Sequence, residues 1–242
     1  MVFIAVLFGI LTIGVAIIVY QNRLTPYFAP IPPAENTNLS VSKKNFGIDI
    51  SHYQGTINWV ELSTTGHCIN YIFIRATMGA DGIDLNFANN WANAKENNYL
   101  RGAYHYYRPN ENSVVQFENF SKMVTLEPGD LPPVLDIEKM GKYGKENLVA
   151  GILNWLRLAE KHYGVIPIVY TGSHFYRIYL KDRIDAYPLW IAAYSEAQQI
   201  HNIDWKFHQF SDKMKVKGID AYVDGNSFNG EMKDLLKLSI SD

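Results

Sequence analysis

Short apolar runs alternate with longer amphipathic segments along most of the chain, and this alternation predicts strands and helices in turn. Eight runs of six to nine residues are rich in β-branched, aromatic and other apolar side chains, as buried strands are. The predicted strands are FGIDIS (46–51), YIFIRAT (71–77), RGAYHYYRP (101–109), PPVLDIE (132–138), IPIVYT (166–171), PLWIAAY (188–194), WKFHQFS (205–211) and IDAYVDGN (219–226). Strands that are separated by helical crossovers predict a parallel sheet.

Three segments between these strands have helical periodicity. They are 87–99, 114–124 and 146–164, and the last is the clearest amphipathic helix, with Gly164 as its stop signal. The last three strands lie closer together and leave less room for helices. The pattern predicts an α/β fold, an irregular TIM-like β/α barrel with a thinned helical layer over the last strands. An open doubly wound sheet is the alternative, but no Gly-rich phosphate loop follows the first strand.

The start of the chain has a different pattern. Residues 2–20 carry no charge, and about twenty apolar residues span a bilayer as a helix. We expect residues 1–23 to be a transmembrane anchor; a cleaved signal segment is the alternative, but no Lys or Arg precedes the apolar run, and the run is longer than usual for a signal. Residues 24–45 contain four prolines, and this composition predicts an extended linker. The folded domain is predicted at 46–242.

Composition narrows the class of protein. The chain has 242 residues, of which 48% are hydrophobic and 19% charged, which fits one globular domain of barrel size. A net charge of −2 without a basic stripe argues against a nucleic-acid partner. The seven His residues lack HxxxH or HExxH spacing, so we predict no metal site and no cofactor. The single Cys68 excludes an internal disulfide and is expected to be a buried small hydrophobe.

Barrel enzymes place their chemistry at the carboxyl ends of the strands. In this sequence, nearly every predicted strand end offers a polar or aromatic side chain. These are Asp49, Ser51, Arg75, Thr77, His105, Tyr107, Asp136, Glu138, Tyr170, Thr171, Tyr194, Gln209 and Asp224. Three Asp, one Glu and several Tyr at one barrel mouth, without a metal motif or a phosphate loop, indicate a carbohydrate site.

Asp136 and Glu138 are the most informative pair in this set. Residues at i and i+2 of a strand point the same way, so both carboxyl groups face one side. Like charges held close separate their pKa values, which provides one proton donor and one anion. Structural ion pairs also cluster acids, so solvent-facing or Arg- and Lys-paired carboxylates are the alternative.

The sequence resembles the glycoside hydrolase family 25 lysozymes over about residues 46 to 230. FGIDISHYQGTINW is similar to the family's D-x-S-x-x-Q-G stretch, and PVLDIE matches its D-x-E motif. FIRATMGADGIDLNF resembles the K-A-T-E-G segment, LRGAYHYY the G-A-Y-H-F strand, PLWIAAY the W-I-A-x-Y strand and YVDGNSFNG the closing V-D-x-N stretch. Six motifs in the family's order make the resemblance specific.

Three positions depart from the family's pattern. Met78 replaces a frequent Glu, Arg75 replaces a Lys, and His208 replaces a Trp that usually precedes Gln in the seventh strand. The first exchange removes a carboxylate near the predicted mouth, so a substrate contact is in doubt. The D-x-E pair is intact, and the chain is therefore expected to be an active enzyme.

The resemblance implies a modified β/α barrel at 46–242 that hydrolyses the β-1,4 bond between N-acetylmuramic acid and N-acetylglucosamine. Glu138 is then the general acid and Asp136 the stabilising anion, which assists either a substrate N-acetyl group or a water molecule. We favour the N-acetyl role, because the family cleaves beside a 2-acetamido sugar. Asp49 and Asp224 are expected to orient the substrate and tune Glu138. The expected substrate contacts are Ser51, Gln54, Arg75, His105, Tyr107, Tyr170, Trp190, Tyr194 and Gln209.

Other classes fit the sequence less well. A non-catalytic glycan-binding barrel has no need of the D-x-E pair, and a glycosidase acting on chitin usually carries a longer acidic run, where this chain has Pro132 and Val134. A metal-dependent deacetylase needs closely spaced His ligands. The expected partners are peptidoglycan glycan strands and, through residues 1–23, a membrane, with the domain monomeric. Since peptidoglycan lies outside the cytoplasmic membrane, we expect an anchored enzyme with its domain on the extracytoplasmic side, or secondly a secreted one.

Overall fold

The computed structural model describes residues 45–195 and 200–241. The predicted anchor at 1–23 and all of the predicted linker except Asn45 lie outside the described residues. Within the described ranges, no helix is long and apolar enough to cross a membrane.

Nine strands and six helices make up the described fold. The strands are β1 (Phe46–Ile50), β2 (Ile69–Met78), β3 (Gly82–Ile83), β4 (Leu100–Tyr106), β5 (Val134–Asp136), β6 (Ile168–Gly172), β7 (Leu189–Ala192), β8 (Phe207–Met214) and β9 (Val223–Phe228). The helices are α1 (Trp59–Ser63), α2 (Phe87–Glu96), α3 (Ser113–Met123), α4 (Gly144–Tyr163), α5 (Ser173–Phe175) and α6 (Met232–Leu238), with a 3₁₀ turn at His52–Gln54 and a π-helical turn at Tyr176–Leu180.

Eight of the strands close into a barrel in the order β1-β2-β4-β5-β6-β7-β8-β9, and β9 pairs back onto β1. The short β3 forms a hairpin with β2 outside the ring. Each predicted strand corresponds to one barrel strand, so the predicted eight-stranded barrel is confirmed.

The direction of the last strand differs from the prediction of a parallel sheet. Strands β1 to β8 of the barrel run parallel, but β9 is antiparallel to both β8 and β1. Only residues 215–222 connect β8 to β9, and this segment contains no helix. So short a connection suits antiparallel neighbours, whereas a parallel crossover needs a dozen or more residues. The predicted thinning of the helical layer is therefore confirmed here.

Two apolar layers hold the barrel. Side chains that point into the barrel are mostly aromatic, and Phe73 stacks on Trp190 with ring centroids 4.4 Å apart. Gly102 makes room for this filling, because a Cβ at this position would lie 2.6 Å from the Phe73 ring. Leu235 of α6 packs against the same cluster. The second layer lies between the outward-facing strand residues and the helices.

Helix α4 covers the outside of the barrel in the predicted manner. It buries Leu148, Ile152, Trp155 and Leu156, which recur at helical spacing along one face. Gly164 follows it in the left-handed conformation with φ 72°, so the predicted stop signal is confirmed.

The expectation that Cys68 is buried is wrong. Cys68 lies just before β2, outside the apolar run, and its side chain is exposed. Its sulfur accepts a weak hydrogen bond from Asn70 Nδ2 at 3.8 Å.

Candidate active site

A pocket of about 740 Å³ opens at the end of the barrel where the parallel strands finish. Most of the predicted site residues line it. They are Asp49, Ser51, Gln54, Arg75, Asp136, Glu138, Tyr170, Trp190, Gln209 and Asp224.

Asp224 reaches this pocket by a different route from the predicted one. It was expected at the carboxyl end of a parallel strand, but it lies at the beginning of β9. Because β9 is antiparallel, its beginning meets the carboxyl ends of its neighbours. Asp224 is directly opposite Asp49 in the β1–β9 register.

Gln209 joins these two carboxyl groups. Its Nε2 donates to Asp49 Oδ2 at 2.9 Å and to Asp224 Oδ2 at 3.3 Å. Its Oε1 accepts from the hydroxyls of Tyr170 at 2.8 Å and Tyr194 at 2.6 Å. The two hydroxyls fix the orientation of the amide, so both of its N–H groups remain available to the carboxyl groups.

Asn226 binds Asp49 from a second direction. Its Nδ2 donates to Asp49 Oδ2 at 2.7 Å, and its Oδ1 accepts from Trp190 Nε1 at 2.8 Å. Trp190 lines the pocket and is almost fully buried. Because its ring is held in place, its hydrogen bond also positions Asn226. Asn226 was not predicted as a site residue, although it ends the V-D-x-N stretch that supports the family resemblance.

The paired aspartates hold a proton near neutral pH. Burial raises the pKa of Asp49, while the hydrogen bonds from Asn226 and Gln209 lower it in part. Burial, followed by the charge of Asp49, raises the pKa of Asp224 to about 8. Asp224 is therefore the protonated partner and donates a hydrogen bond to Asp49.

Asp136 and Glu138 both line the pocket from β5 and the segment after it, but they differ in exposure. Asp136 is buried, and its Oδ1 has no hydrogen-bond partner among the described residues. Burial and then the charges of Glu138 and Asp49 raise the pKa of Asp136 well above its usual range. Glu138 is exposed; burial of its carboxyl group raises its pKa, and Lys139 and the Tyr106 hydroxyl partly offset this rise.

The direction of the pKa shift of Glu138 agrees with a general acid, but its cause is burial and not the expected charge of Asp136, and the expectation for Asp136 also needs correction. Asp136 was expected to be the anion of the pair. Burial favours the protonated form of Asp136 more strongly than that of Glu138. A hydrogen-bond donor that reached Oδ1 would favour the carboxylate instead.

His105 and Tyr107 lie outside the pocket, which corrects the prediction that they contact substrate. His105 is fully buried behind the barrel wall, where its Nδ1 lies 2.7 Å from Thr77 Oγ1 and its ring stacks on Trp155. Burial lowers the pKa of His105 to about 4, so this side chain is neutral. The Tyr107 hydroxyl lies against Gly151 of α4.

Tyr194 does not line the pocket, but it is half exposed and binds Gln209. Several pocket residues were absent from the predicted set. These are Tyr53, Tyr104, Tyr106, Arg108, Asn110, Glu111 and Lys139.

Ser51, Gln54 and Arg75 shape one rim of the pocket through contacts within the protein. Gln54 Oε1 accepts from the Ser51 backbone N–H at 2.8 Å, which closes the turn after β1. Arg75 Nε donates to Asp84 at 3.0 Å, and its guanidinium lies 4.9 Å from the ring centre of Tyr53. Tyr53 is 73% exposed at this rim, so a flat aromatic face is open to a ligand.

Comparison with known proteins agrees with this geometry. The model of glycosyl hydrolases family 25 matches residues 48–219. The chain belongs to this family. As a family 25 member it is a glycosidase, and the barrel mouth described above is its candidate active site.

The chain is also similar in sequence to individual bacterial proteins. The chain is 38% identical over 193 residues to YegX of Escherichia coli K12, with 78% of this chain and 71% of that protein covered. It is 30% identical over 211 residues to lysozyme M1 of Streptomyces globisporus, with 80% and 70% covered.

Solved structures of family 25 have the same fold. A family 25 glycosyl hydrolase from Bacillus anthracis superimposes with a TM-score of 0.73 at 26% identity, covering 86% of this chain and 99% of that one. A lysozyme from Streptomyces coelicolor gives 0.72 at 28% identity, covering 82% and 98%.

The structure shows where two of the residues that depart from the family 25 pattern lie. Met78 lines the pocket, so the missing carboxylate does change the surface that a substrate meets. His208 does not line it; its Nε2 lies 2.9 Å from the Ala193 carbonyl oxygen. The exchange at 208 therefore affects the wall behind the site.

Proposed function

We propose that the protein is a lysozyme-type muramidase, which hydrolyses the β-1,4 bond between N-acetylmuramic acid and N-acetylglucosamine in peptidoglycan. The observation that carries this proposal is the group of four carboxyls, from Asp49, Asp136, Glu138 and Asp224, around one pocket at the barrel mouth. Lysozyme M1 and the Streptomyces coelicolor lysozyme support the same activity by their similarity.

Glu138 is the general acid in this proposal. Cleavage of a glycosidic bond requires a proton on the leaving oxygen, and the donor must be protonated while it is accessible. Glu138 combines a raised pKa with exposure to the pocket. The other carboxyls with a raised pKa are more buried, and two of them, Asp49 and Asp224, are also held by protein partners.

Asp136 is the stabilising group for the substrate N-acetyl arm. Its unpartnered Oδ1 would be satisfied by the N–H of a 2-acetamido sugar. That hydrogen bond favours the carboxylate form, and the resulting negative charge strengthens proton retention on neighbouring Glu138. Asp49 and Asp224, fixed by Gln209 and Asn226, orient this arrangement from the other side of the barrel.

The decisive experiment replaces Glu138 by Gln, which keeps the shape and removes the transferable proton. We expect turnover of purified peptidoglycan to fall at least about a hundredfold, with an unchanged circular dichroism spectrum. Glu118→Gln, on the exposed face of α3, is the matched control and should retain full activity.

The same assay on chitin distinguishes the substrate class. Product reducing ends should be N-acetylmuramic acid from peptidoglycan, and chitin should be a poor substrate. A Glu138→Gln enzyme that digests peptidoglycan at the wild-type rate would contradict the assigned role, and faster cleavage of chitin would contradict the substrate.

We also propose that residues 1–23 anchor the enzyme in the membrane, with the catalytic domain extracytoplasmic. The uncharged segment at 2–20 and the location of polymerised peptidoglycan support this topology. Protease added to cells with a permeabilised outer layer and an intact inner membrane should release the domain. Protection until the inner membrane is breached would contradict the topology.

A further inference from the structure

The positive charges around the pocket all lie on one side of it. The cationic residues that line the pocket are Arg75, Arg108 and Lys139. They belong to or follow β2, β4 and β5, which are adjacent in the barrel. Strands β6 to β9 and β1 contribute no Lys or Arg to the described lining, and β1 and β9 supply the paired Asp49 and Asp224. A charged ligand would therefore meet a polarised pocket.

Two of the three cations already have carboxylate partners. Arg75 forms a buried ion pair with Asp84 at 3.0 Å. Arg108 lies 3.3 Å from Glu111 and 3.5 Å from Asp81. Both arginines are thus partly neutralised by the protein itself.

Lys139 differs from these arginines. It is exposed, and among the described residues it forms no ion pair within 4.0 Å. Its Nζ lies 6.0 Å from the ring centre of Tyr106 and interacts with the hydroxyl of this pocket residue, and its charge lowers the pKa of Glu138. Lys139 also directly follows Glu138, so it lies beside the group that delivers the proton. A cation in this position is available to an anionic group of the substrate close to the bond that is cleaved.

An acidic substrate needs such a cation for binding, because the ionised acids of the pocket would repel its negative charge. Five carboxyl residues line the pocket, and a carboxylate ligand would be repelled by those that are ionised. Peptidoglycan is acidic where chitin is neutral, because each muramic acid carries a lactyl group whose carboxyl is either free or joined to a peptide with carboxylates of its own. A cation beside the acid, with no ion pair of its own among the described residues, favours the orientation of the strand that places a substrate carboxylate against it.

We infer that Lys139 binds a carboxylate of the muramyl residue or of its peptide, and so selects acidic glycan strands over neutral ones. This inference rests on the proposed muramidase function and adds the residue that recognises the acidic substrate. Arg108, on the neighbouring strand end, supplies a second and weaker positive charge on the same wall.

The test compares Lys139→Met with wild type in the full-length protein. The substrates are peptidoglycan, the same peptidoglycan with its carboxyls converted to neutral amides, peptide-free glycan strands, and chitin oligosaccharides. We expect Lys139→Met to lose about fivefold in kcat/KM on native peptidoglycan, mainly through KM, as a partly exposed ion pair does. Because Lys139 also lowers the pKa of Glu138, its removal affects every substrate, and the readout is the ratio of kcat/KM on native to kcat/KM on amidated peptidoglycan. Lys139→Met should lower this ratio, and Lys139→Arg should restore it. Salt should weaken the wild-type preference through screening.

The control variant and the substrate arms separate the explanations. Lys142→Met removes an exposed lysine three residues further on, which does not line the pocket, and should have no effect on the preference. A loss on peptide-free strands assigns the lactyl carboxylate, and a loss only on peptide-bearing strands assigns the peptide carboxylate.

Two results would overturn the inference. If Lys139→Met loses equally on acidic and neutral substrates, Lys139 acts through the pKa of Glu138, and the muramidase function stands without the carboxylate contact. If the wild type cleaves no peptidoglycan substrate, both the function and the inference fail.

Discussion

Replacing Asp224 by Asn should make the protein more stable at neutral and alkaline pH while leaving it unchanged in acid. The pKa of Asp224 is about 8 in the folded protein, against an ordinary value of 3.8, because of burial and the charge of Asp49. The Asn side chain keeps an acceptor for Gln209 and a donor toward Asp49. It therefore imitates the protonated Asp at every pH.

The sign of the effect follows from where the proton is held. Below about pH 4 the carboxyl is protonated in both folded and unfolded chains, so it contributes no difference. Between about pH 4 and pH 8 the unfolded chain releases the proton and the folded chain keeps it, so the free energy of unfolding falls as the pH rises. Above about pH 8 both states are ionised, and the fall ends.

The size of the effect is bounded by the same numbers. About 1.4 kcal/mol per pH unit over the four units gives at most about 6 kcal/mol. Asp224 is only half-buried, so screening by water reduces this figure. We expect Asp224→Asn to match wild type at pH 4 and to exceed it by about 2 kcal/mol at pH 8, or roughly 5 °C in Tm.

Urea unfolding of both proteins from pH 4 to pH 9 measures this difference directly. Asp220→Asn, an exposed carboxyl on the connection before β9, is the control and should track wild type at every pH. A stability difference between Asp224→Asn and wild type that stays constant across this range would refute the assignment of the proton to Asp224.

Two further predictions concern activity. Asp136→Asn should reduce turnover at least about a hundredfold. The loss should be larger on substrates with a 2-acetamido group than on a slow substrate that lacks it. Equal losses on the two substrates in kinetic assays would contradict the N-acetyl role. Gln116→Ala should raise KM severalfold, because buried Gln116 accepts from the Arg108 N–H at 2.8 Å and donates to the Arg108 and Glu111 carbonyls, and so holds the loop that forms one pocket wall. Unchanged KM in a variant that remains folded would contradict this role.

The strands were predictable because their apolar runs are nearly uninterrupted. Segments 71–77 and 168–171 bury both faces, one inside the barrel and one under helices, and such apolar runs are easy to recognise in a sequence. Strand direction leaves no trace in the side-chain period, so the reversal of β9 was missed. The seven residues at 212–218 between the last two predicted strands were the available signal, since they are too few for a parallel crossover.

His105 and Tyr107 were wrongly predicted to face the pocket because the side chains of β4 do not show which face of the strand points inward. The stretch AYHYY puts aromatic rings on both faces of the strand, so residue type could not show which set points inward. The structure turns Tyr104 and Tyr106 to the pocket and His105 to the helices. One position of register exchanges the two sets completely.

The carboxyl residues of the site could be predicted from the sequence, but the side chains that hydrogen-bond to them could not. Asp136 and Glu138 stood out because acids rarely follow a buried strand at alternate positions. The partners of Asp49 lie 160 and 177 residues away, at Gln209 and Asn226. Such contacts exist only after the barrel closes, and no local pattern encodes them.

The closure of the barrel by its last strand has a consequence during synthesis. Asp49 emerges from the ribosome early, whereas Asp224 and Asn226 are among the last residues of the domain to emerge. Until β9 inserts between β1 and β8, one edge of each of these strands stays unpaired, and Asp49 lacks the hydrogen bonds that Asp224 and Asn226 donate to it. A chain interrupted before residue 223 contains Glu138 but no complete site. The insertion of β9 therefore completes the barrel and the candidate site together.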